Sequence, residues 1–141
     1  MENRTSIKIT SEKLNLQDCY NFVEDDSCGG ISAFVGTVRN ATQNKEVTLL
    51  DFSAYEPMAL KEMQKIAERA LEKFPIHKIA IHHAVGELKI GQIPVIISVS
   101  SAHRKAAFEA CEFAIDTLKE TVPIWKKEHF KDGEVWVNSH P

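Results

Sequence analysis

Three short stretches of this chain combine residue types that handle anions and move protons. The first is Ser100-Ser101-Ala102-His103-Arg104, where an apolar run gives way to a helical pattern. A helix start offers free backbone N–H groups and the positive end of the helix dipole, so it attracts an anion. Arg104 adds a fixed charge and a planar donor fork suited to phosphate. The second stretch is Lys119 followed by Pro123-Ile124-Trp125-Lys126-Lys127-Glu128. Like charges crowded together and partly desolvated lower a lysine's pKa from about 10.4, which suits proton transfer. The third is Gly36-Thr37-Val38-Arg39, where glycine admits close approach and Arg39 can meet an anion. Each has a plainer reading. In the same order, these are a capped helix with surface His and Arg, a basic helix end favoured by the dipole, and an ordinary hairpin start.

Sulfur and metal chemistry find less support. The cysteines, Cys19, Cys28 and Cys111, form no CxxC pair, so neither a zinc ribbon nor a disulfide framework is indicated. Cys19 and Cys111 sit on apolar helical stripes and read as core thiols. Cys28 precedes Gly29-Gly30 in a loop, where Asp25 and Asp26 work against a thiolate. His82 and His83 are adjacent, so on a strand they point to opposite faces. No HxxxH or HExxH spacing occurs, and no metal or cofactor is expected.

The chain has 141 residues, 17 basic and 20 acidic, for a net charge of -3. That balance argues against general attraction to nucleic acid while leaving room for a local basic pocket. The 43% hydrophobic content supports one real core. The N-terminus lacks a signal-peptide stretch and no apolar run reaches membrane-spanning length, so a cytoplasmic protein is expected.

Positioning these groups requires helices and strands together. Alternation predicts strands over residues 6–10, 31–38, 47–55, 79–85 and 95–100, with a last short strand at Val135-Trp136-Val137. Residues 41–45 are turn-like, and the flanking strands are expected to form a hairpin. Helical stripes run through Leu16, Cys19, Tyr20 and Val23, through Met63, Ile66, Ala67, Ala70 and Phe74, and through Ala107, Ala110, Cys111, Ala114 and Leu118. Ser101 is expected to cap the last of these, with Pro123 its latest end. Gly86 and Gly91 bracket a turn, and residues 124–130 read either way. The expectation is a single compact α+β domain over residues 1–141, with an antiparallel-rich sheet.

Read together, these segments resemble the molybdopterin synthase large-subunit family. The resemblance rests on Phe34-Val35-Gly36-Thr37-Val38-Arg39, Ser100-Ser101-Ala102-His103-Arg104 and Pro123-Ile124-Trp125-Lys126-Lys127-Glu128. Lys119 lies seven residues before Lys126, the spacing that family shows. Ala54-Tyr55 before Met58-Ala59, and Gly86-Glu87-Leu88 with Gly91, also match, so the resemblance covers roughly residues 28–137. It implies a sulfurtransferase of molybdenum cofactor biosynthesis with a hammerhead-like α/β subdomain. A small ubiquitin-like partner, thiocarboxylated at its C-terminal Gly-Gly, would deliver two sulfurs to cyclic pyranopterin monophosphate and form a dithiolene. Members are heterotetramers built on a dimer of large subunits.

Carried over by position, the resemblance makes Lys119 catalytic, with Lys126 its partner. It makes Arg39, His103, Arg104 and Lys126 binders of phosphate and pterin, with Thr37, Val38, Lys127 and Glu128 lining the pocket. Proton transfer and acyl holding both remain open for Lys119. His103 and Lys119 lie on one predicted helix, roughly 24 Å apart along its axis. One subunit's His103 and Arg104 are therefore expected to meet a neighbour's Lys119 and Lys126. Three departures stand out: Asp51-Phe52-Ser53 where many relatives carry an acidic-aromatic-acidic run, Ala84 where many carry arginine, and an end at Pro141 without a basic tail. Two rivals use the same anion pocket: a phosphoesterase or pterin-modifying enzyme, and a non-catalytic module that binds a phosphorylated ligand.

Overall fold

The computed structural model describes residues 3–131 and 133–138. In chain order its elements are β1 (Thr5–Thr10), α1 (Leu16–Val23), β2 (Gly30–Gly36), β3 (Ala41–Thr42), β4 (Lys45–Ala54) and α2 (Glu56–Lys73). These are followed by β5 (Lys78–Ala84), β6 (Gly86–Lys89), β7 (Val95–Ser101), α3 (Arg104–Thr121), β8 (Ile124–Phe130) and β9 (Gly133–Asn138).

Every residue of β7 is buried, and this strand is central to the first sheet. It pairs antiparallel with β5 on one edge and β2 on the other, while β1 joins β5 in parallel. A strand covered on both faces needs apolar or small residues at every position, and Val95-Ile96-Ile97-Ser98-Val99-Ser100-Ser101 supplies them. The two-residue alternation then sorts the faces. Ile79, Ile81, Ile97 and Val99 pack with α2 and α3 through Met63, Ile66, Ala110 and Ala114. Ala80, Ala84 and Ile96 pack with Cys19 and Val23 of α1. The alanines of α3 let that helix lie close on the sheet.

The second sheet is antiparallel. β4 carries β8 on one edge, with β6 and β3 on the other, and β9 follows β8. Val47, Leu50, Phe52 and Ile124 from this sheet enter the main core, so the two sheets share one apolar interior. The result is an α+β domain, as the residue pattern predicts. No helix among the described residues is long and apolar enough to cross a membrane.

Three local expectations are corrected and one open reading is resolved. β2 and β4 do not form a hairpin with each other, because β2 takes β7 as its partner and β4 takes β8 and β6. Residues 124–130 are a strand, fixed by that pairing with β4. Gly86 opens β6 rather than a turn; the turn itself is centred near Gly91. Ser101 does not cap α3. It ends β7, its hydroxyl donates to the carbonyl of His103, and His103 takes the N-cap position without a side-chain cap bond.

Candidate functional site

A cleft of about 490 Å³ opens where the end of β2, the strands β4 and β8, and the last turns of α3 converge. Its shape follows from local sequence. β2 runs out at Gly36, delivering Thr37 and Arg39 to the rim. A Cβ on Gly36 would come within 2.7 Å of the Val95 side chain, so glycine permits this close approach of β2 to β7. α3 carries Ile115 and Leu118 on its inward stripe and Lys119 in its last turn, all three lining the cleft. On β8, Lys126 and Glu128 are two residues apart and face the cleft together. Phe34, Leu50 and Phe52 add apolar lining, Phe52 beside Lys126 on the neighbouring strand, and His83 lines the cleft as well.

Electrostatics single out Lys126. Burial pushes its ammonium below the ordinary lysine range, the Glu128 carboxylate opposes that, and the charges of Lys119 and Arg39 push it down further. Glu128 is buried, and its Oε2 accepts a hydrogen bond from the Thr42 hydroxyl at 2.8 Å. That bond ties β3 to the floor of the cleft. His83 lies on the cleft side of β5, with its ring edge-on to Phe52 at 5.4 Å between centroids. Burial pushes its pKa down to about 4, opposed by a hydrogen bond to the Ala84 carbonyl. His82 points the other way, into contact with Ser6 and Cys19, as adjacent strand positions require.

The structure brings together Thr37, Arg39, Lys119, Lys126 and Glu128, all named from sequence. It does not bring in the other four. Val38 alternates inward and is buried in the core, while its backbone is paired with Gln92 and Gly91. Lys127 lies on the opposite face of β8 from Lys126, opposite Asp51 of β4. His103 and Arg104 are exposed at the far end of α3 from Lys119, outside the cleft of their own chain. Sequence reasoning assigned no role to Thr42, Phe52 or His83. The strand alternation that placed His83 on one face was the available signal; nothing local marked Thr42.

The cysteines stand apart from the cleft. Cys19 and Cys111 are buried, and burial raises both thiols, Cys19 to about 11. Cys28 sits half-buried in the turn after α1, its N–H donating to Asp25. Among the described residues, no three His, Cys, Asp or Glu side chains gather as a metal site would need.

Fold and cleft thus define an α+β protein with a cation-lined, partly desolvated cleft. The family model described as "MoaE protein" matches residues 9–121. A molybdopterin synthase catalytic subunit from Dictyostelium discoideum is 46% identical over 134 residues, covering 94% of this chain and 85% of the relative. The crystal structure of molybdopterin synthase from Staphylococcus aureus superposes with a TM-score of 0.86 at 38% identity, covering 96% of this chain and 98% of that one. A Helicobacter pylori structure, described as a complex of subunits 1 and 2 of molybdopterin-converting factor, shares the fold with a TM-score of 0.74 at 23% identity, covering 99% of this chain and 94% of that one. The chain belongs to the MoaE family, that of the molybdopterin synthase catalytic subunits.

Proposed function

We propose that this chain is the catalytic subunit of a cytoplasmic molybdopterin synthase. In this reading it transfers two sulfurs from the thiocarboxylated C-terminus of a small ubiquitin-like subunit to cyclic pyranopterin monophosphate. The observation that carries the reading is the convergence of Arg39, Lys119 and Lys126 on one cleft backed by apolar side chains. The three cations suit a substrate phosphate, and the apolar lining suits a flat heterocycle. Opening a cyclic phosphate leaves an oxygen that needs a proton. A lysine whose ammonium is weakened by burial gives one up more readily than an ordinary lysine.

In this mechanism Lys119 acts at the reacting pterin carbons and Lys126 is its partner in proton transfer. The Glu128 carboxylate favours the ammonium of Lys126 and so restrains that weakening. The sulfur arrives on the small subunit, so no nucleophilic cysteine is required. That agrees with the burial of Cys19 and Cys111. The complex of two subunits described for the Helicobacter pylori protein is the kind of assembly the reading needs.

His103 and Arg104 enter through a second copy. They sit a helix length from Lys119, so they serve this cleft only if α3 of one subunit presents its N-terminus to the neighbour's cleft. A self-dimer within a heterotetramer would meet that requirement.

A reconstituted assay tests the reading. Purified chain, a thiocarboxylated Gly-Gly partner and cyclic pyranopterin monophosphate are mixed, and dithiolene product is followed by mass spectrometry. Product should require the thiocarboxylate and fall at least 100-fold with Lys119→Ala, while substrate binding persists. Binding without product from the unaltered chain and its partner would leave a phosphorylated-ligand-binding module instead.

A further inference from the structure

Among the titratable residues of the cleft, one is unlike the others. Arg39, Lys119 and Lys126 are donors only, and Glu128 is engaged by Thr42 and faces Lys126. His83 is 97% buried by its 3% exposure, yet it lines the cleft. Its Nδ1 lies 2.7 Å from the Ala84 carbonyl oxygen. A carbonyl oxygen can only accept, so Nδ1 carries the hydrogen and donates it. Burial keeps the ring neutral at working pH. In a neutral imidazole with hydrogen on Nδ1, Nε2 is a lone-pair acceptor. Among the described residues, no hydrogen bond is made at this nitrogen.

We infer that His83 is a substrate-positioning residue, whose Nε2 accepts a hydrogen bond from a ring N–H of the heterocycle lying on the Phe34–Phe52 side of the cleft. The inference rests on the synthase reading and adds to it the part of the substrate that the cations leave unread. Phosphate is recognised by the donors Arg39, Lys119 and Lys126. A reduced pterin also presents N–H donors, and one buried against apolar lining without an acceptor would be costly. The fixed tautomer makes the site selective: it accepts from N–H and offers nothing to a ring position that bears only a lone pair. The edge contact with Phe52 and the bond to Ala84 hold the imidazole in that orientation.

Two variants separate this role from simple packing. His83→Asn keeps a donor near the Ala84 carbonyl and removes the distant acceptor, whereas His83→Gln puts an amide oxygen within reach of the Nε2 position. The probes are cyclic pyranopterin monophosphate and inorganic phosphate, titrated against the full chain by calorimetry, with KM and kcat measured in the complete synthase. His83→Asn should weaken pterin affinity and raise KM about tenfold, with kcat and phosphate affinity little changed. His83→Gln should recover most of the pterin affinity. Unchanged pterin affinity in His83→Asn, with turnover retained, would overturn the inference and leave the synthase reading standing. Equal weakening of phosphate and pterin would also overturn it, by showing a general disturbance of the cleft. An unaltered chain that binds phosphate but not the pterin would sink the synthase reading, and this inference with it.

Discussion

Two side chains of the cleft are pushed toward their neutral forms by the same cause, loss of water. Lys126 is moved by burial and by the cations beside it, and Glu128 restrains the shift. His83 is moved by burial almost alone. For His83 the shift has a direct thermodynamic consequence. The folded ring resists protonation until about pH 4, while the unfolded ring takes a proton near the ordinary 6.5. Between those values the unfolded chain binds more protons, so stability rises with pH across that window. The full contribution is present above about 6.5 and is lost as pH falls toward 4, amounting to about 3 kcal/mol. Urea unfolding at pH 7, 5.5 and 4 should show that loss in the unaltered chain and much less of it in His83→Gln. Parallel pH dependences in the two proteins would show that His83 is not the group responsible.

Among the elements, the junction of β2 with the start of α3 has the least tolerance. A Cβ on Gly29 would lie 2.8 Å from the backbone oxygen of Ala102, the same oxygen that accepts the Gly29 N–H at 3.2 Å. Gly30 is similarly close to Arg104, where an added Cβ would meet Cα at 3.0 Å. Because the obstacles are backbone atoms, no side-chain rotation relieves them. Gly29→Ala should cost about 1–3 kcal/mol, read as a lowered thermal midpoint, by forcing β2 away from the start of α3. An unchanged midpoint would mean that the 24–29 loop gives way freely. In the proposed shared site the cost would reach function, because this junction sets where His103 and Arg104 emerge.

The whole-molecule question is whether the two ends of α3 serve one reaction. Lys119 faces the cleft, whereas His103 and Arg104 are at the opposite end of the helix in solvent. If the assembly joins one subunit's helix start to its neighbour's cleft, Arg104→Ala and Lys119→Ala damage different halves of each composite site. Mixed dimers of the two inactive variants should then contain one intact site and regain up to about half of the unaltered activity. No recovery in mixed dimers verified by mass spectrometry would place both ends of α3 in separate duties.

The sequence by itself determined the residue types and their local periods. Alternation and helical stripes identified the three helices and the buried strands, because solvent exclusion acts on each element at its own repeat. Order and spacing identified Arg39, Lys119, Lys126 and Glu128, because family motifs are linear strings. Tertiary structure decided everything that depends on partners distant in the chain. β2 chose β7 rather than β4, and residues 124–130 became a strand, because strand pairing is settled by which edges meet in the packed core. Val38 and Lys127 left the cleft by a one-residue change of face, while Thr42 and His83 entered it from 86 and 43 residues away from Glu128 and Lys126. Such neighbours are made by folding alone, since burial, which favours the neutral forms of both His83 and Lys126, exists only once the sheets close over them.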